Sequence, residues 1–396
     1  MKLADRLNCI VESKTLKMSK LSRELSSKGF NVINLSLGEP DFPTPQHIKD
    51  AAKKALDDNF TTYSPVVGYL DLREAIAAKF KRENNLEYTP NQIVVSTGAK
   101  QSIINAMLAI LNKGDEVIVP TPYWVSYSEM IKLAEGTPVF VNANVDTDYK
   151  VTASQIENAI TAKTKLMIFS SPCNPTGSVF SKDELFAIAK VIEKHPDIFI
   201  ISDEIYEHIN FIGKHESIAQ FDFIKERVVT VNGMSKAFAM TGWRLGYIGA
   251  SKEVAEACEK LQGQFTSGTN SIAQRAALCA LTSDMTPTYE MAKAFKRRRD
   301  LVLSLMKEIP GFKTNLPGGA FYVFPDVSYY FGKSDGTTII QSSEDLCMYI
   351  LNSAYVALVA GDAFGAPECI RFSYATSDEK LTEALKRIKE VLAKLV

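Results

Sequence analysis

"NGMSKAFAMTGWRLG", residues 232–246, closes an apolar run and sets one lysine, Lys236, among small and apolar neighbours. Arg244 follows eight positions later, and Gly246 ends the stretch. A lysine confined in this way loses solvation, which lowers its pKa and leaves an amine able to form a Schiff base near neutral pH. Alone, such a lysine reads as a solvated loop residue. Its meaning depends on what the fold brings beside it.

Working outward, short apolar runs alternate with helical patterns. "NQIVVSTGA" reads as a strand entering a glycine turn, and "KQSIINAMLAILNKG" as a helix that stops at Gly114. "DEVIVPTPYW" is a strand running into a proline-rich loop. "KTKLMIFSSPCNPTG", "DIFIISDEIYE" and "ERVVTVNGMSKAF" are strands followed by turns, and "DELFAIAKVIEKH" is a helix. This alternation predicts an α/β fold with a large, mostly parallel sheet covered on both faces. Beyond residue 285 the texture changes. "TYEMAKAFKRRRDLVLSLMKEI" is a long amphipathic helix, "FKTNLPGGAFYVFPDV" a strand, turn and strand, and "CIRFSYATSDEKLTEALKRIKEVLAKL" a strand and a helix capped by Ser377 or Asp378. The expected division is a large domain over 46–284 and a smaller α+β domain built from 1–45 and 285–396. The "KRRR" run at 296–299 reads as a solvated helix face.

The chain has 396 residues, 46% hydrophobic and 23% charged, with a formal net charge of -1. Its length exceeds one small core, and its charge balance gives no bulk attraction to nucleic acid or anionic membranes. No apolar run is long enough to span a bilayer. The N-terminal stretch lacks the apolar core and small-residue cleavage site of a secretory signal, so a cytoplasmic protein is expected. Cys9, Cys173, Cys258, Cys279, Cys347 and Cys369 show no metal-ligand or redox spacing, and read as reduced thiols. His47, His195, His208 and His215 form no zinc pattern, and no metal is expected.

In an open α/β sheet, ligands bind outside the carboxyl ends of the strands. Those ends carry Gly98, Ala99 and Lys100, then Tyr123 and Trp124, then Asn174 to Gly177, then Asp203 and Tyr206, then Ser235, Lys236 and Arg244. Singly they are ordinary: "NPTG" is a turn, Trp124 a core residue, Asp203 a helix cap. Neither a GxxxxGK[ST] loop nor a GxGxxG fingerprint is present. Together they suit an aldehyde cofactor that carries a phosphate and a protonatable ring nitrogen, pyridoxal 5′-phosphate. Lys236 would form the Schiff base. Arg244 and the helix start at 98–101 would hold the phosphate. Asp203 would keep the ring nitrogen protonated, Trp124 would stack on the ring, and Asn174 and Tyr206 would bond its phenolic oxygen.

At these residues the sequence resembles the class I aminotransferases, pyridoxal-phosphate enzymes of the aspartate aminotransferase fold (fold type I). The matching stretches are "GMSKAFAMTGWRLG" (233–246), "LSLGEPDFPTP" (35–45), "YSPVVGYLDLREAIA" (63–77), "STGAKQ" (96–101), "PTPYWVSY" (120–127), "SPCNPTG" (171–177), "ISDEIYE" (201–207) and "IRFSYATS" (370–377). The bacterial aspartate aminotransferases with lysine after a Gly-Ala or Gly-Gly turn are the most alike. The resemblance implies that Lys236 also moves the substrate proton, with Asp203 and Tyr206 in the catalytic set. Ser235 either bonds the phosphate or keeps the turn small. Tyr63 reaches the neighbouring subunit's phosphate, which implies a homodimer with shared sites. Arg371 clamps the substrate α-carboxylate, Gly38 lines the same group, and Trp124 and Asn174 also border the substrate.

The implied reaction is reversible transfer of the amino group of L-aspartate to 2-oxoglutarate by ping-pong kinetics, with Lys100 taking the distal carboxylate. The other reading of Lys100 is that it offsets phosphate charge or faces solvent. Lys14 and Lys17 are further candidate substrate contacts. Alternative activities are transamination of aromatic, alanine or prephenate substrates, or a carbon–sulfur lyase, which needs no distal cation. Intact Lys236, Asp203 and Arg371 argue against a non-enzymatic scaffold. Cys173 stands where many relatives carry Asn or His and has no assigned role.

Overall fold

Burial on both faces turns the apolar runs into one large sheet, in a computed structural model that describes residues 3, 4, 7, 8, 10, 11 and 14–396. Cys9 and the start of the N-terminal segment lie outside the described residues. The strands in chain order are β1 (Ile33–Asn34), β2 (Ile93–Ser96), β3 (Glu116–Thr121), β4 (Thr137–Asn142), β5 (Thr164–Ser170) and β6 (Phe199–Asp203). Then come β7 (Val228–Gly233), β8 (Gly246–Gly249), β9 (Tyr322–Val323), β10 (Val356–Ala357), β11 (Val359–Ala360) and β12 (Ile370–Ser373). The large sheet has the order β2-β8-β7-β6-β5-β3-β4. Neighbours from β7 to β4 are parallel, while β8 runs antiparallel to both β7 and β2.

Alternate residues of each strand feed two cores, as the two-residue repeat of a strand requires. Ile93, Ile118, Met167 and Ile200 join one core, with Ile48, Leu72, Ile76, Leu185, Ile188 and Ala277 from the helices Gln46–Asp57, Leu70–Lys79, Lys182–Glu193 and Ser271–Thr282. Val94, Val117, Ile168 and Ile201 join the other, with Ile103, Met107, Val254 and Cys258 from Ala99–Ile110 and Lys252–Phe265. The helix Lys182–Glu193 starts where Ser181 accepts from the Glu184 N–H and Glu184 accepts from the Ser181 N–H, a reciprocal cap.

A separate core gathers the chain's two ends. Met18, Ile33 and Leu35 pack with Phe295, Val302, Ile350, Leu385 and Ile388. β1 pairs in parallel with β10, and β11, β12 and β9 form a small antiparallel sheet. Ser377 is the cap of the last helix, accepting from the Lys380 N–H. No helix among the described residues is long and apolar enough to cross a membrane.

The structure corrects three expectations. In the "KRRR" run only Lys296 and Arg297 behave as surface residues. Arg298 and Arg299 are each 7% exposed, Arg298 held by Asp41 and Arg299 by the Pro317 carbonyl and Asp300. Helical spacing turns neighbouring residues to different faces, so a charge run cannot all face solvent. In "FKTNLPGGAFYVFPDV" only Tyr322–Val323 is strand, because Pro317 lacks a backbone donor and Gly318–Gly319 weaken extended pairing. The helix expected to reach Gly114 ends at Ile110, with Leu111 already extended and buried against the core. Two further strands complete the sheet, β4 at its edge with only Val141 buried, and the four-residue antiparallel β8.

Candidate active site

The carboxyl ends of β5, β6 and β7 open on a cavity of about 640 Å³. β6 ends at Asp203, and the turn beyond it places Tyr206 on the same cavity. β7 delivers Ser235 and Lys236, and Arg244 lies just before β8. Ala99, Lys100 and Trp124 border the cavity from the side of the helix Ala99–Ile110, Asn174 from the loop after β5, and Gly38 and Arg371 from the smaller core. Gly98 stands just behind, at the start of that helix. Tyr63 is apart from all of them: it is 97% exposed and borders a different surface hollow with Thr61 and Gly268. Lys14 is engaged by Glu344 and Asp362, Lys17 lies 3.6 Å from Glu344, and neither lines the cavity.

Glycine is required at two of these positions. Gly98 has φ +84°, and a Cβ there would fall 2.2 Å from Arg244 Nη2. Its absence lets the guanidinium lie against the helix N-terminus, where backbone N–H groups and a cation together make an anion site. A Cβ on Gly38 would fall 2.6 Å from the Tyr322 hydroxyl.

Burial sets the electrostatics. Lys236 Nζ donates to the Gly38 carbonyl at 2.5 Å. Desolvation lowers its pKa to about 8, assisted by Arg371 and Arg244 and opposed by Glu39 and Asp203. Burial raises Asp203 to about 6, opposed by the bond it accepts from the Tyr127 hydroxyl at 2.7 Å. Arg371 is buried. It donates through Nη1 to Asn174 Oδ1 at 3.0 Å and through Nη2 to the Ser36 carbonyl at 2.6 Å, and its Nε has no partner among the described residues. The Tyr206 and Tyr322 hydroxyls are 2.8 Å apart. At the exposed rim, Lys100 Nζ lies 5.0 Å from the Trp124 ring centroid, and partial desolvation followed by the charge of Arg244 lowers its pKa.

These residues fit a phosphate-bearing aldehyde: a desolvated amine, a helix N-terminus with an arginine against it, a buried carboxylate, and an arginine with an unfilled donor. Tyr127, Tyr322 and Ser36 went unassigned in the sequence. Tyr127 was within reach of it, standing three residues after Trp124 at a helix start. Tyr322 and the Ser36 carbonyl gave no local signal.

His208 and His215 lie on the far side of the Asp203–Tyr206 turn. Two groups there have ligand spacing, Glu83, Glu207 and His208, and Glu204, Glu207 and His215. The fully buried Lys79 sits among them, bonded to Glu207 and, at 2.8 Å, to Asn84, and supplies the cation these carboxylates need. Cys173 donates weakly to the Pro122 carbonyl at 3.6 Å, and burial raises its pKa, which makes it a poor nucleophile.

The fold sets a desolvated amine and a buried arginine with an unfilled donor on one cavity at the carboxyl ends of the strands. The family of class I and II aminotransferases matches residues 31–388, and the chain belongs to it. A bifunctional aspartate aminotransferase and glutamate/aspartate-prephenate aminotransferase of Petunia hybrida is 48% identical, over 98% of this chain and 82% of its own. An aspartate/prephenate aminotransferase of Nitrosomonas europaea is 44% identical, over 99% of this chain and 100% of its own. The crystal structure of the aspartate aminotransferase from Rhizobium meliloti superimposes with a TM-score of 0.97 at 41% identity, covering 100% of both chains. That from Thermus thermophilus with maleate gives 0.93 at 41% identity, covering 99% of this chain and 100% of the other.

Proposed function

We propose that this chain is a pyridoxal 5′-phosphate-dependent aspartate aminotransferase, moving the amino group of L-aspartate to 2-oxoglutarate and back by ping-pong kinetics. The observation that carries this reading is one cavity holding the desolvated Lys236 amine between two cations, buried Arg371 and rim-placed Lys100. Two separated cations suit a dicarboxylate, and a carbon–sulfur lyase acting on a neutral side chain needs only one.

When bound, the cofactor supplies an aldehyde for the amine and a ring that withdraws electrons from the substrate carbon. The chain's residues do the rest. Arg244, Ser235, Gly98 and the N–H groups of Ala99 and Lys100 hold the phosphate. Asp203 holds a proton on the ring nitrogen, and Tyr127 favours its ionised form. Arg371 engages Asn174 through Oδ1, which leaves Asn174 Nδ2 to donate, with Tyr206, to the phenolic oxygen. Trp124 stacks on the ring. The Arg371 fork takes the α-carboxylate and fixes its rotation, and Lys100 takes the distal carboxylate. Lys236 Nζ would then remove the substrate Cα proton as a base and, as an acid, deliver it to the carbon of the cofactor's aldehyde group.

Residues 46–284 form the cofactor-binding domain in this reading. Residues 1–45 and 285–396 form the domain that closes over the substrate and excludes water, a division supported by the separate cores. The exposed ring of Tyr63 supports a homodimer in which it reaches the partner's phosphate. Unpaired Cys173, Cys258, Cys279, Cys347 and Cys369 support a reducing, cytoplasmic setting. The test is optical: the purified holoprotein should be yellow and lose that colour on adding L-aspartate, releasing oxaloacetate. A colour that aspartate leaves unchanged rules the reading out. The names of the relatives favour a second acceptor, prephenate, which a panel of 2-oxo acids against the aspartate-treated enzyme would reveal.

A further inference from the structure

The loop from Ser36 to Thr44 touches the cavity and is tied down just beyond it. Its Ser36 carbonyl accepts from Arg371 at 2.6 Å and its Gly38 carbonyl accepts from Lys236 at 2.5 Å. Asp41 then takes a two-pronged bond from Arg298, Nη1 to Oδ1 at 2.7 Å and Nη2 to Oδ2 at 2.9 Å. Arg298 is 7% exposed and lies against the Phe42 and Phe295 rings at 5.1 and 5.7 Å, with Asp378 Oδ1 at 3.5 Å from its Nε. Thr44 completes the attachment, donating to the Ala239 carbonyl at 2.7 Å and accepting from Trp243 Nε1 at 3.1 Å. Only Glu39 and Pro40 separate Gly38 from Asp41, and the proline ring fixes its own φ. So short a connection has little slack, and a shift at Asp41 moves the carbonyls that hold Lys236 and Arg371.

We propose that Arg298, acting through Asp41, is a positioning residue for the substrate: the fork sets the loop so that Ser36 and Gly38 hold the Arg371 guanidinium and the Lys236 amine at the spacing one α-amino acid requires. A guanidinium making two parallel bonds fixes angle as well as distance, and a lysine keeps the charge but frees the angle. The inference rests on the reading above that Arg371 takes the α-carboxylate.

The test uses the holoenzyme with Arg298→Lys, Asp41→Asn and the double variant. It measures KM and kcat for aspartate and the affinity for maleate, an unreactive dicarboxylate, by the absorbance of the bound cofactor at a temperature where all are folded. Both single variants should bind maleate about tenfold more weakly and raise KM by a similar factor, with kcat changed less. The double variant should be no worse than the weaker single one, because the two side chains form one unit. If the variants lose thermal stability but keep maleate affinity and KM, Arg298 is structural and the proposal falls. Should Arg298→Lys fail to fold, Asp41→Asn, on a more exposed side chain, carries the same readout. Arg371→Lys separates the two levels. Unchanged maleate affinity in that variant sinks the reading of Arg371. Lost affinity there, with both Arg298→Lys and Asp41→Asn intact, sinks only this inference.

Discussion

The six residues "DEIYEH", 203–208, serve two regions with opposite electrostatic characters. Asp203 and Tyr206 face the cavity, whereas Glu204 and Glu207 face a buried network. In the network each carboxylate has hydrogen-bond donors against it. Glu204 accepts from Ser202, Ser217 and His215, and Glu207 from Lys79 and Asn84. Burial alone would raise the Glu207 pKa, yet Lys79, His208 and His215 hold it well below the usual carboxylate range. In the cavity the shifts run the other way. Asp203 is raised, Lys236 and Arg371 are lowered, and burial leads in each case. Paired buried charges stabilise a fold only as a set, while under-partnered ones are poised for a ligand.

The largest expected effect tests the poised side. Lys236→Ala should reduce transamination by about 10⁴-fold, since it removes both the nucleophile and the proton carrier. Single-turnover absorbance with aspartate measures it, and a borohydride-reducible linkage surviving in that variant would place the reactive amine elsewhere.

A reciprocal pair comes next. Lys79→Met strands Glu207 and should cost about 3–5 kcal/mol of stability, read from urea midpoints, with the kcat of the folded fraction largely kept. Arg371→Met should reverse the pattern: dicarboxylate binding weakens by about 2–4 kcal/mol while the urea midpoint hardly moves. Equal stability losses in both variants would erase the distinction between the two regions.

Tyr127→Phe is subtler. Asp203 loses the bond that favours its ionised form, so the acid limb of kcat/KM should move to higher pH by up to about one unit, or about 1.4 kcal/mol. An unmoved limb would mean that the hydroxyl only packs.

The last effect is a slope rather than a step. Folded Lys236 releases its proton near pH 8 and the unfolded chain near 10.5, so between these values the unfolded state binds more protons and stability rises with pH. Urea midpoints of the cofactor-free protein should show that rise, and Lys236→Ala should flatten it.

Much of this was legible before folding. The strand–helix alternation gave the large sheet, and the strand ends named the residues that now share the cavity. Those residues advertise themselves because their chemistry sits in short local patterns: a small-residue turn around Lys236, a glycine opening a helix at Gly98, an aspartate closing an apolar strand. What stayed hidden lacks such a pattern. "KRRR" reads as surface until Asp41, 257 residues away, folds onto Arg298. Tyr63, exposed and remote from the cavity, has a role only if a second chain stands beside it.

By itself the sequence determined which chemical groups stand at the carboxyl ends of the strands, because strand period and turn composition act over a few residues. Only the tertiary structure decided which charges are answered and which are left open. Glu207 and Asp203 are both carboxylates, four positions apart, and nothing local says which of them meets a cation. Lys79, 128 residues from Glu207, neutralises one, and a cavity desolvates the other. Desolvation and ion pairing depend on what the whole fold places within a few ångströms, and no short stretch of sequence carries that information.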